Sequence, residues 1–140
     1  MILIINGPNL NLLGRREPEI YGRESFDDYL PRLSSQFSGE EIVYFQSNCE
    51  GDIIDCLHDY GFRSECRGIV INPGAYSHYS VAIADAITSI PVPVVEVHIS
   101  NIHAREEYRR LSVTAERARG VIAGLGLDGY RLAIDFLLKK

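Results

Sequence analysis

Five apolar, β-branched runs spaced along the chain constrain its fold more than any other feature. They are ILIIN (2–6), EIVYFQS (41–47), GIVINP (68–73), VPVVEVHIS (92–100) and GVIAGLG (120–126). Continuous apolar runs of this length are typical of strands buried on both faces, as in a parallel sheet covered by helices. Segments with helical spacing separate the runs. The alternation therefore predicts an α/β, flavodoxin-like three-layer fold with a five-stranded parallel sheet.

The intervening segments predict the helices. Apolar residues recur at helical spacing in 53–60, with Gly61 as the stop, and in 81–89. Asp128 is predicted to be the N-cap of the last helix. These helices are expected to form the outer layers of the fold.

The segment before the second strand has a less regular helical pattern. Ser25 and Asp28 resemble a capping box at its start, but Pro31 lies inside the apolar stripe. Proline costs about 3 kcal/mol inside a regular helix. We expect either a kink or a helix that starts later, with Pro31 in its first turn.

Length and charge limit the class of protein. The length of 140 residues suits a single domain over 1–140. The formal charge of −5 and the lack of a basic stripe argue against a nucleic-acid or membrane-surface binder. Cys49, Cys56 and Cys66 lack zinc-site spacing, and an odd cysteine count without an export signal is typical of a cytoplasmic protein. No apolar run approaches the roughly 18 residues that span a bilayer.

Polar residues cluster where four of the predicted strands end. These segments are 6–9, 47–51, 72–75 and 96–100. Ligands of open α/β sheets bind beyond the carboxyl ends of the strands, near the switch in strand order. The four segments therefore predict one site at one edge of the sheet.

Several familiar chemistries are disfavoured. GLGLDG (124–129) matches a dinucleotide fingerprint, but eleven residues follow it, too few for the rest of that motif, so a tight strand–helix turn is the better interpretation. His78, His98 and His103 lack a common metal-ligand spacing, and no metal is expected. The two lysines are the last two residues, which leaves no credible Schiff-base residue.

The stretch GRREPEIYG (14–22) has neither helical nor strand periodicity, yet it places two arginines and a tyrosine between glycines. A free tyrosine has a pKa near 10, and an adjacent arginine favours the ionised phenolate. Arg16 and Tyr21 could meet across Pro18, which would make the tyrosine a base able to take a proton from carbon. On these nine residues alone, a surface loop with incidental charge is the better interpretation.

The surrounding motifs reverse that interpretation. The chain contains, in order, NGPNLNLLGRREPEIYG, QSNCEGDIID, INPGAYSHYSVAIADA, VEVHISNIHAREEYRR and GVIAGLGLDGYRLAI. Together they closely resemble the type II 3-dehydroquinate dehydratases over nearly the whole chain. The resemblance implies reversible dehydration of 3-dehydroquinate to 3-dehydroshikimate through an enolate, without a metal or organic cofactor. It also implies a place in the shikimate pathway of aromatic (chorismate) biosynthesis and a homododecamer built from trimers.

The resemblance implies catalytic roles for five residues. Tyr21 matches the general base and Arg16 the arginine that keeps it ionised. Asn9 matches the residue that holds a water against the developing enolate oxygen. His98 matches the general acid, with Glu96 as its orienting partner.

Substrate-binding residues follow from the same resemblance. The positions that match contacts to the ring substituents or the carboxylate are Asn72, His78, Ile99, Ser100 and Arg109. Asp85 matches an acidic residue that, in the family, reaches the site from a neighbouring subunit. The segment 14–22 carries the implied base, and we expect it to be a mobile lid over the catalytic domain.

Two features depart from the family's pattern. Tyr79 stands where many relatives have a threonine, and 110–120 reads RLSVTAERARG. We expect neither to touch a residue assigned to the reaction. The main alternative function is a flavodoxin-like module that binds a nucleotide or a flavin, which would explain the fold but not Tyr21 and His98.

Overall fold

In the computed structural model, which describes residues 1–139, the five apolar runs form five strands of one parallel sheet. They are β1 (Ile2–Asn6), β2 (Ile42–Gln46), β3 (Gly68–Asn72), β4 (Val94–His98) and β5 (Gly120–Ala123). The strand order is β2-β1-β3-β4-β5, and every neighbouring pair is parallel. This is the flavodoxin-like order, so the predicted fold class is confirmed. Lys140 lies outside the described residues.

Helices cover both faces of the sheet. They are α1 (Pro18–Tyr21), α2 (Phe26–Ser35), α3 (Glu50–Gly61), α4 (Val81–Ser89) and α5 (Asp128–Leu138). Ile2 and Ile4 of β1 pack in a core with α2 and α5. Leu3 and Ile5 point to the other face and pack with α3 and α4. Alternate residues of one strand thus bury in two different cores, which explains why the strands read as continuous apolar runs.

The start of α2 follows the predicted cap, whereas the start of α5 differs from the prediction. Helix α2 begins at Phe26, where the Ser25 hydroxyl accepts a hydrogen bond from the Asp28 amide at 3.1 Å. Pro31 therefore lies inside the helix, and the prediction of a later start is wrong. Asp128 is the first residue of α5 rather than its N-cap, because its carboxylate pairs with Arg131 instead of with the backbone.

Short 3₁₀ helices occupy the connections that follow the carboxyl ends of the strands. They are Leu10–Leu12, Gly74–His78, Ile102–Ala104, Glu107–Arg109 and Ala115–Arg117. Asn6 and Asn72 lie side by side at the ends of β1 and β3, and the Gly7 amide donates to the Asn72 carbonyl at 2.8 Å. A Cβ on Gly7 would lie 2.5 Å from the Pro73 carbonyl oxygen, so only glycine allows these two connections to approach so closely.

Among residues 1–139, no helix is both long enough and apolar enough to cross a bilayer.

Candidate active site

A cavity of about 170 Å³ lies beyond the carboxyl ends of the central strands. The predicted site residues that line it are Asn9, Arg16, Tyr21, Asn72, His78, His98, Ile99, Ser100 and Arg109. Glu96 is fully buried directly behind His98. Asp85 lies on the exposed face of α4 and does not line this cavity. Apart from Asp85, the structure therefore brings the predicted site residues together. Of the four polar segments expected at the site, 6–9, 72–75 and 96–100 line the cavity, whereas 47–51 does not and reaches it only through the bond from the Asn9 amide to Asn48.

The phenolic oxygen of Tyr21 is bound by an arginine that sequence reasoning missed. Arg105 Nη1 donates a hydrogen bond to this oxygen at 2.6 Å. The Arg16 guanidinium instead lies over the Tyr21 ring, 5.2 Å from its centroid, and its Nη2 is 3.3 Å from a Glu17 carboxylate oxygen. Arg105, rather than Arg16, is therefore the cation that contacts the phenolic oxygen.

One helical turn sets the position of Tyr21. The segment 14–22 was expected to be irregular, but it contains α1, in which Pro18 occupies the first helical position. The Tyr21 amide donates to the Glu17 carbonyl at 3.0 Å, so the tyrosine closes the turn. Gly14 and Gly22 bracket the turn at φ 88° and 86°, values that glycine tolerates better than other residues.

His98 is held by a buried carboxylate. Its Nε2 lies 3.0 Å from Glu96 Oε1, and both residues belong to the fully buried strand β4. The Thr114 hydroxyl donates to Glu96 Oε1 at 2.7 Å, and the Ser112 hydroxyl lies 3.0 Å and 3.1 Å from the two carboxylate oxygens. The expectation that segment 110–120 avoids the reaction residues is therefore wrong. Tyr79, in contrast, is exposed and does not line the cavity.

Asn72 is fixed by a buried chain of polar side chains. Its Nδ2 donates to the Tyr130 hydroxyl at 3.0 Å, and its Oδ1 accepts from the Gly74 amide at 3.1 Å. The Tyr130 hydroxyl in turn donates to Asn6 Oδ1 at 2.7 Å. Complete burial raises the pKa of Tyr130, so this residue stays a neutral hydroxyl that can serve both amides.

The remaining lining residues are held from neighbouring connections. His78 Nδ1 pairs with the Leu111 carbonyl at 2.7 Å, and the His78 and His98 rings lie 6.5 Å apart. The Asn9 amide donates to Asn48 Oδ1 at 3.0 Å, with Asn9 itself in the left-handed conformation that asparagine tolerates. The buried Arg109 Nε lies 3.0 Å from Glu106 but lacks hydrogen-bond geometry to it.

The cavity lining contains basic side chains and no acidic ones among the described residues. Arg16, Arg105 and Arg109 line it together with two histidines, and no aspartate or glutamate among residues 1–139 does so. The same span contains no group of three or more His, Cys, Asp or Glu side chains placed to hold a metal ion. The lining suits a small anionic ligand.

A broader cavity of about 930 Å³ adjoins the smaller one. Both cavities are lined by Tyr21, Ile99, Ser100 and Arg105. The wider space is open, and Asn72 and the two imidazoles line the smaller cavity but not the wider one. The Tyr21–Arg105 pair lies at the boundary between them.

Comparisons with known proteins show the family of the chain. A family model described as "Dehydroquinase class II" matches residues 1–138. The chain is 54% identical over 139 residues to a 3-dehydroquinate dehydratase of Bacillus licheniformis, covering 98% of this chain and 94% of the relative. It is 55% identical over 141 residues to a protein of the same name from Clostridium botulinum, covering 99% and 95%. A crystal structure of a type II dehydroquinase from Butyrivibrio crossotus superimposes with a TM-score of 0.92 at 49% identity, covering 99% of this chain and 97% of that one.

Proposed function

The chain belongs to the class II dehydroquinase family, and we propose that it removes water reversibly from 3-dehydroquinate to give 3-dehydroshikimate. One observation carries the proposal for the chemistry. A single small cavity contains a phenol bound to a guanidinium and an imidazole bound to a buried carboxylate. These groups are a base and an acid, as the elimination of water across a carbon–carbon bond requires.

The first step is the removal of a proton from the carbon next to the ketone. Tyr21 acts as the base, and its oxygen takes the proton as the carbon–hydrogen bond breaks and an enolate forms. The hydrogen bond from Arg105 at 2.6 Å favours the phenolate before the step. Asn9, which lines the cavity, holds a water against the enolate oxygen, where the negative charge develops.

The second step is the loss of the hydroxyl group. His98 donates a proton to this oxygen while the carbon–oxygen bond breaks, the carbon–carbon double bond forms and water leaves. Glu96 stabilises the protonated imidazole through the contact at 3.0 Å. Because Glu96 contacts Nε2, the other ring nitrogen of His98 is the one available to the substrate.

Substrate binding uses the rest of the lining. The substrate is a carboxylate, and Arg109 together with Ile99 and Ser100 receives it in a cavity that carries no acidic side chain among the described residues. Asn72 and His78 hydrogen-bond the ring substituents. Their orientations are set before binding, because Tyr130 and the Leu111 carbonyl hold them from behind.

The segment 14–22 acts as a lid of the catalytic domain. It carries both Arg16 and Tyr21 and is bracketed by Gly14 and Gly22, whose positive φ angles favour hinge-like change. Closure over substrate brings the Arg16 guanidinium from the face of the Tyr21 ring towards the phenolic oxygen. Closure also excludes water from the enolate.

Assembly and cellular role extend the same proposal. Four large apolar side chains are exposed in the segments that follow the lining residue His78 or flank the lining residue Arg109: Tyr79, Val81, Tyr108 and Leu111. Exposed side chains of this kind fit burial between subunits of a homododecamer, in which Asp85 would reach a neighbour's site. The cytoplasm, where cysteines stay reduced, is the proposed location, and biosynthesis of aromatic compounds through the shikimate pathway is the proposed role. Light scattering should give a mass of twelve chains.

The function is tested by following ultraviolet absorbance while purified protein is incubated with 3-dehydroquinate. The conjugated enone of the product should produce a rise in absorbance, and mass spectrometry should show the loss of one water. A folded, assembled protein that gives no rise would refute the assignment. A yellow protein, or one that retains a stoichiometric nucleotide, would favour the flavin- or nucleotide-binding alternative.

A further inference from the structure

Glu96 receives hydrogen bonds from two side chains that lie outside the cavity. The Thr114 hydroxyl donates to it at 2.7 Å, and the Ser112 hydroxyl lies within 3.1 Å of both of its oxygens. All three side chains are buried, Glu96 and Thr114 completely. A buried carboxylate needs several donors to stay charged, since it has lost its hydration.

The hydroxyls of Ser112 and Thr114 are uncharged partners of Glu96, in contrast to the imidazole of His98. In the described part of the chain, the ion-pair partner of Glu96 is His98, and no arginine or lysine pairs with it. When His98 gives up a proton, the carboxylate would lose its counter-charge. The two hydroxyl donors do not titrate in the working range, so they continue to satisfy the carboxylate after that transfer.

Backbone hydrogen bonds hold the segment that carries both hydroxyls in place independently of Glu96. The Ser112 hydroxyl accepts from the Ala115 amide at 3.1 Å. The Val113 amide donates to the Ser77 carbonyl at 2.7 Å, and the Arg119 amide donates to the Val94 carbonyl at 2.7 Å. The segment is therefore fixed near both ends, against the turn after β3 and against the start of β4.

We propose that Ser112 and Thr114 are positioning residues that act through Glu96 on His98. They hold the carboxylate so that its Oε1 accepts the Nε2 proton of His98, which fixes the ring orientation and the neutral tautomer and leaves Nδ1 for the substrate. This inference rests on the proposed role of His98 as proton donor. It assigns no contact with substrate to either hydroxyl.

Other charged groups face His98 but do not contact Glu96. They are His78 from the turn after β3, Arg16 and Tyr21 from the segment 14–22, and Arg105 and Arg109 from the connection after β4. Their contacts run to each other, to backbone, or to Glu17, Ser77, Ser100 and Glu106. Ser112 and Thr114 are thus the side chains that can change the Glu96–His98 contact without altering the cavity lining.

The direct test is ¹⁵N NMR of histidine-labelled protein, in which four histidines must be resolved. In the unaltered protein the neutral His98 ring should carry its proton on Nε2. In the double variant Ser112→Ala/Thr114→Val, the His98 signals should shift towards a mixture of tautomers. Signals that remain unchanged in the folded double variant would overturn the proposal, and this readout requires no turnover.

Kinetics with 3-dehydroquinate supply a second readout. The double variant should lose about tenfold or more in kcat with KM within about twofold, because the substrate-binding groups are untouched. The single variant Thr114→Ser keeps the hydroxyl and should therefore keep most of the rate that the double variant loses. Thr88→Val removes a hydroxyl that is bonded within α4 and should have no effect on kcat or KM. If KM rose with kcat unchanged, or Thr114→Ser failed to rescue a folded protein, the positioning role would be wrong.

The two readouts separate this proposal from the proposed function. Protein without activity on 3-dehydroquinate would refute the function, but the tautomer of His98 would still respond to the double variant. Activity that persists together with an unchanged tautomer would refute only the positioning role.

Discussion

Arg105 Nη1 lies 2.6 Å from the phenolic oxygen of Tyr21, although 84 positions separate the two residues in the chain. The same nitrogen is 3.5 Å from the Ser100 hydroxyl. Tyr21 and its cationic partner thus come from two separate segments, 14–22 and the connection after β4.

Replacement of Arg105 should weaken the base. A hydrogen bond to a charged group contributes about 1.5–3 kcal/mol, so Arg105→Ala should lower kcat about 10- to 150-fold. Steady-state kinetics with 3-dehydroquinate measure the loss. Arg110→Ala is the matched control, because Arg110 is exposed in the same segment and does not line the cavity. Equal losses in the two variants would show that the effect is not due to the bond to Tyr21.

Replacement of Arg16 tests closure of the segment 14–22. If closure brings this guanidinium to the phenolic oxygen, Arg16→Ala should lower kcat at least about tenfold, as expected for a charge-assisted hydrogen bond. An exposed contact with an aromatic face contributes only about 0.5–1 kcal/mol. A loss below about fivefold would therefore mean that Arg16 keeps its position over the Tyr21 ring, 5.2 Å from the centroid, throughout the reaction.

The sequence predicted the fold because its signals were repeated and local. Each strand such as β1 is a continuous apolar run, and the cap at Ser25 is a contact over three positions. The start of α5 was displaced by one residue because Asp128 pairs with Arg131, a choice between two local partners. Local reasoning succeeds where the deciding contacts are near in sequence.

The candidate site was predictable by residue type but not by partner. Asn72 and His98 stand out as polar residues at the ends of apolar runs. Arg105 occurs in a stretch with several arginines, and only the fold shows which of them reaches Tyr21. The Ser112 and Thr114 contacts with Glu96 span 16 and 18 positions and carry no sequence signal.

Tyr130→Phe should affect both stability and binding. The change leaves Asn6 Oδ1 and one Asn72 N–H without their buried partner, which should lower the free energy of unfolding by about 1–3 kcal/mol. KM should rise because Asn72 is no longer fixed. Denaturant unfolding and kinetics measure the two effects.

Tyr29→Phe provides the control for Tyr130. Tyr29 lies in the same aromatic cluster, and the variant loses one hydrogen bond, to the Leu127 carbonyl at 2.8 Å, in which Asn72 takes no part. It should reduce stability without changing KM. A rise in KM in both variants would show that general loosening of the core, rather than release of Asn72, is responsible.

The three cysteines should differ sharply in reactivity. Burial raises the pKa of Cys56 to about 12 and also raises the pKa of Cys66, whereas Cys49 is exposed. Since the thiolate is the reactive form, one thiol per chain should react rapidly with a thiol reagent at pH 8 and three should react after denaturation. Rapid reaction of two or three thiols in the native protein would contradict the burial of Cys56 and Cys66.

The central claim is that the Tyr21 oxygen takes a proton from carbon, and Tyr21→Phe tests it most directly. The change removes one oxygen and keeps the ring beneath Arg16. General-base catalysis contributes about 10²- to 10⁴-fold. We expect kcat for 3-dehydroquinate to fall at least about 10³-fold, with calorimetry still showing substrate binding. A folded variant that keeps kcat within about tenfold of the unaltered protein would contradict the account.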